Sequence, residues 1–318
     1  MTAIIEFKQV TKRFESATVL KDLNITIEQG EIFVIVGPSG SGKTTSLKMI
    51  NGLIEPTDGN IYFKNKRIKD YNLQKLRWQM GYVLQQIALF PTMSVKENIE
   101  VIPEMLGWKK ERREKRVDEL LREVDLEPEQ YRNRMPGELS GGQQQRIGII
   151  RALAAEPDIM LMDEPFSALD PISRTSLQDL VLTLHEKLGN TIVFVTHNMK
   201  EALKLGDRIA VMQAGQIVQC DTPEVIRNQP KDDFVRAFFD EAQNGYGQVK
   251  LAAIYEGGFF QSASEKDLPE ICLDTSLSQL FPLLAEYPAV QLKDSEEKIL
   301  GKVTQSDIFR FLSQEENE

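Results

Sequence analysis

The sequence predicts an α/β fold for residues 1–240, followed by a small second domain over residues 248–318. Three short apolar runs, at residues 31–36, 158–162 and 191–196, have the composition of buried parallel strands. Stretches with helical spacing precede the second and third runs, and alternating strands and helices imply a layered α/β core. After the first run we expect a Gly/Ser-rich turn and then a helix over residues 44–50.

The middle of the first domain predicts a mostly helical subdomain, at about residues 90–150, inserted in the α/β core. Its sequence is charged and helical, notably at residues 109–121, and has no β-branched runs. Residues 108–116 form the one dense basic stretch, which could be offered as a nucleic-acid patch. The glutamates among its lysines and arginines favour a solvated helix face with charge pairs three or four residues apart.

The end of the first domain is less regular. After Gly215 the sequence predicts short turns and helix as far as Phe239, and the Gly-rich residues 244–247 predict a linker. About 70 residues then follow, which is close to the smallest size that folds alone. We place the domain boundary at this linker.

Composition and charge exclude several classes of protein. No apolar stretch in the 318 residues approaches the roughly 18 that suggest a membrane span. No secretory signal is readable, and the two cysteines, Cys220 and Cys272, lie far apart, so we expect a cytosolic chain. The net charge is −10, and from Glu241 onward 6 basic residues face 14 acidic ones. This acidic quarter would repel nucleic acid and anionic lipid.

The Gly/Ser-rich turn matches the phosphate-binding pattern G-x-x-x-x-G-K-[ST]. Its residues are Gly37, Pro38, Ser39, Gly40, Ser41, Gly42, Lys43 and Thr44, followed by Thr45. The turn lies between a strand and a helix, where backbone N–H groups and the helix N-terminus can surround the β- and γ-phosphates of a nucleotide. Lys43 would add a positive charge, and the Thr44 hydroxyl would contact Mg²⁺.

Two acidic residues end the second apolar run. In nucleotide sites of this kind the first acid, here Asp163, holds the shell of Mg²⁺, and the next, Glu164, polarises an attacking water. Two acids after an apolar run can also simply cap a loop. With a phosphate-binding turn in the same chain, we favour catalysis.

A second phosphate-binding motif precedes another predicted helix. It comprises Ser140, Gly141, Gly142 and Gln143, a hydroxyl and bare N–H groups at a helix N-terminus. One chain does not need two such devices around one nucleotide. If two copies meet head to tail, however, each Ser-Gly-Gly turn can close the nucleotide site of the other copy.

With these motifs in this order, residues 1 to about 240 resemble the ATP-binding subunit of an ABC transporter. The resemblance identifies Leu139–Gln143 as the signature and Asp163 and Glu164 as the Walker B pair. It further implies that Gln85 is the Q-loop glutamine, which binds Mg²⁺ and links the metal and the attacking water to the coupling surface. Asp170 would be the end of the D-loop, and His197 would be the switch histidine. Phe14 matches the aromatic residue that stacks on adenine, although a core phenylalanine is a rival interpretation. His185, in helical sequence, is interpreted as structural.

The second domain resembles a single cystathionine-β-synthase (CBS) motif, through the closing sequence at residues 301–308. Such motifs work in pairs and often bind adenine nucleotides, near the Thr and Asp that here are Thr304 and Asp307. A single copy leaves two alternatives. It pairs across a dimer and senses a nucleotide, or it is a remnant that only stabilises the dimer.

The resemblance implies a homodimeric ATPase that uses ATP and Mg²⁺ and powers an importer from the cytoplasmic face of the cell membrane. Its partners would be an integral membrane permease, docked near residues 85–98, and an extracytoplasmic substrate-binding protein or domain. An ATPase of this length with a CBS-like tail most resembles subunits of glycine betaine, carnitine or choline importers. The alternatives are a soluble ABC ATPase of DNA repair or translation and a P-loop kinase. No heptads support the former, and the latter leaves Ser140–Gln143 without a role.

Overall fold

The computed structural model describes residues 2–15, 17–167, 169–244, 250–261, 268–294 and 297–315. The chain divides into two compact units, Met1–Phe238 and Phe239–Glu318. The linker predicted at residues 244–247 lies outside the described residues after Asn244. Among the described residues, no helix combines the length and the apolar content that a membrane crossing requires.

The strands of the first unit form two sheets. In chain order they are β1 (Ala3–Phe14), β2 (Ala17–Glu28), β3 (Ile32–Val36), β4 (Asp58–Phe63), β5 (Lys66–Arg67), β6 (Met80–Val83), β7 (Ile159–Asp163), β8 (Thr191–Thr196), β9 (Arg208–Gln213) and β10 (Gln216–Asp221). The helices are α1 (Lys43–Ile50), α2 (Leu73–Arg77), α3 (Val95–Met105), α4 (Lys110–Glu123), α5 (Pro128–Tyr131), α6 (Gly141–Leu153), α7 (Pro171–Leu188), α8 (Met199–Leu205), α9 (Pro223–Asn228) and α10 (Asp233–Asn244). Helix α10 begins in the first unit and ends in the second.

The central sheet has six strands in the order β10-β9-β3-β8-β7-β6, and all neighbours except β9 and β10 are parallel. Every residue of β3, β7 and β8 is buried. These are the three predicted strands, and their near-continuous apolar sequence reflects burial on both faces. The prediction of a layered α/β core is confirmed, and β3, β7 and β8 end at the same edge of the sheet.

A second, antiparallel sheet with the order β2-β1-β4-β5 was not predicted. Phe7 of β1 pairs with Ile25 and with Ile61, and the three side chains join the core that contains Phe33 and Leu161 of the central sheet. The alternation in β1 is broken at Gln9, which has a φ of 52°, and the register shifts between Phe7 and Val10. This irregularity hid the strand from a period-two pattern.

The inserted helical segment is confirmed by α3 to α6, which lie between β6 and β7 in the chain. The basic stretch covers the start of α4, where Arg113 contacts Glu104 at 3.0 Å and Arg112 contacts Glu156 at 3.0 Å. These two arginines therefore pair with glutamates outside the basic stretch. The predicted pairs three or four residues apart occur further along α4, between Lys115 and Glu119 at 3.7 Å and between Arg116 and Glu119 at 3.9 Å.

The prediction of short turns and helix directly after Gly215 was wrong. Residues 216–221 form β10, which makes a hairpin with β9. Ala214 and Gly215 have φ values of 47° and 80°, the left-handed pair that a two-residue hairpin turn requires. A Cβ on Gly215 would also lie 2.3 Å from the Val19 carbonyl oxygen. The helices α9 and α10 begin only after this strand.

The second unit is a small α/β structure. Its described elements are α11 (Leu251–Glu256), β11 (Glu270–Cys272), α12 (Leu277–Glu286), β12 (Ala289–Lys293), β13 (Ile299–Thr304) and α13 (Gln305–Glu315). The sheet has the order β11-β12-β13, with the first pair parallel and the second antiparallel. Its core includes Ile254, Leu280, Val290 and Val303.

Candidate functional site

The phosphate-binding turn begins where β3 leaves the sheet, and its first glycine is required by space. A Cβ on Gly37 would lie 2.1 Å from the carbonyl oxygen of Met212 in β9, so the turn starts in direct backbone contact with a neighbouring strand. Gly40, with a φ of 77°, has nothing within 4 Å of the position of a Cβ. The middle of the turn, with Ser39 and Gly40 exposed, is therefore open to a ligand.

Lys43 lies under this turn and is only 5% exposed. Its Nζ donates to the carbonyl oxygens of Gly37, at 2.8 Å, and Pro38, at 3.0 Å. Burial lowers the pKa of Lys43, and the nearby carboxylates of Glu164 and Asp163 oppose that shift. The ammonium group is thus held by neutral carbonyl groups, and a phosphate anion would be a stronger partner for it.

Two of the three expected Mg²⁺ ligands, Thr44 and Asp163, meet at the edge of the sheet, whereas the third, Gln85, is exposed after β6. The Thr44 hydroxyl donates to Asp163 Oδ1 at 2.8 Å, and Asp163 is 6% exposed. The Ser41 hydroxyl oxygen is buried and, within the described residues, has no hydrogen-bond partner. Hydroxyl and carboxylate oxygens are hard donors of the kind that Mg²⁺ prefers, so Thr44 and Asp163 fit this ion. Thr45, the next residue of α1, is half-buried.

Glu164 and His197 form the second polar pair of the site. His197 Nδ1 and Glu164 Oε2 are 2.9 Å apart, although 33 residues separate them in sequence. The hydrogen bond from His197 lowers the pKa of Glu164, and the same bond raises the pKa of His197. The pair is therefore stabilised as a carboxylate with an imidazolium.

The signature turn caps its own helix. The Ser140 hydroxyl accepts a hydrogen bond from the Gln143 N–H at 3.3 Å, and the Gln143 side chain accepts one from the Ser140 N–H at 3.0 Å. The Gln143 amide also reaches the Tyr131 hydroxyl at 3.2 Å. Gly141 and Ser140 are exposed, and a Cβ on Gly142 would make only ordinary contacts. Within the described residues, no hydrogen bond joins this turn to residues 37–45.

The remaining predicted residues lie around the site in different ways. Asp170 accepts a hydrogen bond from the Ser173 N–H at 3.0 Å, at the start of α7, whereas Ala168 of the D-loop lies outside the described residues. Gln85 follows β6 and is exposed. Phe14, at the end of β1, is 43% exposed, and Lys12 Nζ lies 4.7 Å from its ring centroid. The rival interpretation of Phe14 as a core phenylalanine is wrong.

Known proteins are similar to this chain in sequence. A sequence model of the ABC transporter family matches residues 20–167. A glycine betaine/carnitine/choline transport ATP-binding protein of Bacillus subtilis is 41% identical over an alignment that covers 96% of this chain and 84% of that protein. The chain belongs to the ABC transporter family. This membership accounts for the order of the phosphate-binding turn, the signature and the Walker B pair along the sequence.

Two further comparisons extend the family assignment. A carnitine transport ATP-binding protein of Listeria monocytogenes is 51% identical over 236 residues, which cover 74% of this chain and 59%, less than two thirds, of that protein. The structure of a dimeric ATP-binding cassette bound to ADP and Pi, in a post-hydrolysis state, is 38% identical with a TM-score of 0.62. The matched region covers 69% of this chain and 98% of the chain of that cassette.

Three residues of this ABC site were missed from the sequence. Tyr82 lies with its hydroxyl 3.4 Å from Asp163 Oδ2, and burial raises the pKa of its phenol. Glu201, buried in α8, accepts a hydrogen bond from the Thr196 hydroxyl at 2.6 Å beside His197. Gln145 is buried in α6 and donates to the Pro165 carbonyl oxygen at 2.7 Å. Gln145 was missed because it is the last of three consecutive glutamines. Only the helical period shows that its side chain lies on the buried face of α6.

Proposed function

We propose that the chain is the ATP-hydrolysing subunit of an importer that takes up a quaternary-amine compound such as glycine betaine, carnitine or choline. The observation that carries this proposal is the similarity over 96% of the chain to a glycine betaine/carnitine/choline transport ATP-binding protein. Residues 1–240 would form the ATP-binding domain. The transported compound would pass through a separate membrane permease, with this chain at the cytoplasmic face of the membrane.

The functional form is a head-to-tail homodimer with two composite ATP sites. The signature turn has no hydrogen bond to residues 37–45 of its own chain within the described residues, and Ser140 and Gly141 are exposed. In the dimer, Ser140 and Gly142 of one copy would complete the γ-phosphate site of the other. A related cassette with 38% identity has a dimeric structure with ADP and Pi, which supports this arrangement.

Each residue of the composite site has a chemical role. Lys43 and the backbone N–H groups of residues 37 and 39–45 bind the β- and γ-phosphates, and Phe14 stacks on adenine. Thr44, Asp163 and Gln85 would hold Mg²⁺, which neutralises charge on the phosphates when bound. Glu164 acts as the general base or positions the attacking water. His197 stabilises charge on the transferred γ-phosphate.

The permease would dock on the segment that follows β6, which we call the docking segment (residues 84–98). Leu84 and Phe90 are 42% and 45% exposed, and Met93 is 36% exposed. Asn98 is fully buried and holds this segment, since its side chain accepts from the Phe90 N–H at 2.8 Å and donates to the Phe90 and Met93 carbonyl oxygens. Apolar side chains on a rigid support are suited to binding a partner. The substrate-binding protein or domain would contact the permease on the opposite side of the membrane.

For the second unit we propose a CBS-like domain over residues 248–318. Asp307 accepts from the Thr304 hydroxyl at 2.6 Å, from the Thr304 N–H at 3.0 Å and from the Gln261 amide at 3.2 Å. The carboxylate that the CBS resemblance would place near an adenine nucleotide thus caps α13. This geometry favours a structural role for the domain over nucleotide sensing.

Co-purification of the full chain from detergent-solubilised membranes, followed by mass spectrometry, tests the transport function. We expect a multi-span permease and a substrate-binding partner whose pocket suits a quaternary amine. Phe90→Asp should remove the permease while ATP binding stays unchanged. Leu188→Asp, at a side chain that is 41% exposed in α7, is the matched control and should retain it. Recovery of ribosomes, DNA-repair factors or no partner would instead favour a soluble ABC ATPase.

A further inference from the structure

One buried amide links the signature helix to the loop that carries Glu164. Gln145, in the second turn of α6, is 3% exposed, and its Nε2 donates to the carbonyl oxygen of Pro165 at 2.7 Å. Pro165 directly follows Glu164. A buried hydrogen bond of this length resists displacement, because losing the amide would leave the Pro165 carbonyl group without this donor.

The loop around Glu164 depends on such contacts. Glu164 has a φ of 46°, in the left-handed region that a non-glycine residue adopts only when its surroundings hold it there. On one side the Glu164 N–H donates to the Val195 carbonyl oxygen at 2.9 Å. On the other side the Ser167 hydroxyl donates to the Glu164 carbonyl oxygen at 3.0 Å. Within the described residues, the Gln145 side chain provides a hydrogen bond from α6 to this loop.

The N-terminus of α6, about one turn before Gln145, is the signature turn. Ser140 caps the helix, and the Gln144 N–H donates to the Ser140 carbonyl oxygen at 2.9 Å, which closes the first helical turn. A displacement of Ser140 would therefore be transmitted to Gln145 by a hydrogen-bonded helix. The path from Ser140 to Glu164 uses one helical segment and one side-chain hydrogen bond.

We infer that Gln145 is a positioning residue that couples the two ATP sites of the dimer. This inference rests on the proposed head-to-tail dimer, in which Ser140 of a chain contacts the nucleotide of the partner while Glu164 of the same chain acts on its own nucleotide. Closure of the signature turn on the γ-phosphate of one site would then set the position of the catalytic carboxylate in the other. Coupling of this kind makes the two ATP molecules act cooperatively.

The neighbouring Gln144 provides a matched control. It lies on the same helix and is half-buried, but its amide donates to the Leu139 carbonyl oxygen at 3.1 Å, before the start of α6. Removing the Gln144 amide disturbs the same helix without breaking the contact with Pro165.

The test measures ATP hydrolysis by the full chain as a function of ATP concentration. We expect the wild type to show a Hill coefficient of about 1.5 to 2, and Gln145→Met to show a value of about 1. Affinity for ATP at a single site should change less than about threefold in Gln145→Met, because within the described residues no hydrogen bond joins the Gln145 side chain to residues 37–45. Gln144→Met should remain as cooperative as the wild type. Gln145→Glu, which keeps the shape but loses the amide donor, serves if the Met variant fails to fold.

Three results would overturn the inference while the proposed dimer stands. They are cooperative hydrolysis in whichever Gln145 variant folds, loss of cooperativity in Gln144→Met, and a wild type that dimerises with ATP but has a Hill coefficient of 1. A separate assay covers the proposed function itself. If light scattering detects no ATP-dependent dimer of Glu164→Gln, the composite sites do not form, and both proposals fail.

Discussion

At the scale of single residues, Glu164 and His197 set each other's charge. The pKa of His197 is raised in the folded chain. The stabilisation that protonated His197 gives the folded state is therefore complete below the ordinary histidine pKa of about 6.5, and it is lost as the pH rises through the raised pKa. The pKa of Glu164 is lowered, so its contribution is present above about 4.3 and is lost as the pH falls through the lowered pKa. The pair therefore stabilises the chain most between these two ordinary values.

The substitution Glu164→Gln tests this pair and the catalytic role of the carboxylate. Removing the charge should lower the pKa of His197 towards about 6.5, measured by NMR titration with His185 as the second histidine signal. ATP turnover should fall at least about 100-fold, because a general base or water-positioning group is lost, while ATP still binds. Glu156→Gln, at the exposed partner of Arg112, is the control. Near wild-type turnover in Glu164→Gln would refute the role given to this residue.

Local patterns predicted some of these residues and concealed others. Lys43 and Thr44 stand in one continuous motif whose chemistry depends on its own backbone, so the sequence alone placed them. The contact between Glu164 and His197 depends on β7 and β8 being neighbours in the sheet, which no local pattern states. Gln145 and Glu201 were missed for the same reason, because their partners Pro165 and Thr196 mattered only after the chain had folded.

At the scale of elements, the phosphate-binding turn is positioned by the backbone of β9. Gly37→Ala would place a Cβ 2.1 Å from the Met212 carbonyl oxygen. This oxygen belongs to the backbone of β9, so it cannot rotate away as the end of a side chain could. We expect the free energy of unfolding to fall by about 1–3 kcal/mol and ATP binding to weaken at least about tenfold, measured by urea denaturation and by fluorescent-nucleotide titration.

Gly148→Ala is the matched control for Gly37→Ala. Gly148 lies inside α6 and has nothing within 4 Å of the position of a Cβ. Alanine in a helix interior is preferred over glycine, so the free energy of unfolding should rise by about 0.5–1 kcal/mol with ATP binding unchanged. Equal destabilisation by both substitutions would show that the contact with β9 does not position the turn.

The elements that the sequence predicted well are those buried on both faces. Residues of β3, β7 and β8 must be apolar throughout, so their pattern is unambiguous. The antiparallel sheet was hidden by bulges in β1, and β10 was hidden because its side chains alternate only weakly between buried and exposed. Irregular register and edge position are features of tertiary structure, and they weaken the periodic signal in the sequence.

At the scale of the whole molecule, the chain has two compact units and belongs to the ABC transporter family. Its first unit carries every residue assigned to the ATP site, and half of each proposed composite site must come from a second copy. The central claim is therefore that the Lys43 of one chain works with the Ser140 of another.

Mixing two inactive variants tests this claim most directly. Lys43→Ala removes the phosphate contact, and Ser140→Arg blocks the signature turn, so each variant alone should hydrolyse ATP at no more than about 1% of the wild-type rate. In a mixed head-to-tail dimer, the Lys43 of one chain meets the Ser140 of the other, which restores one intact site. An equimolar mixture should therefore recover turnover of up to about a quarter of the wild-type value, since half of the dimers are mixed. A mixture that is as inactive as its two parents and also forms no ATP-dependent dimer would contradict the composite site, since coupling through Gln145 would lower the turnover of the mixed dimer but leave its intact site able to close on ATP.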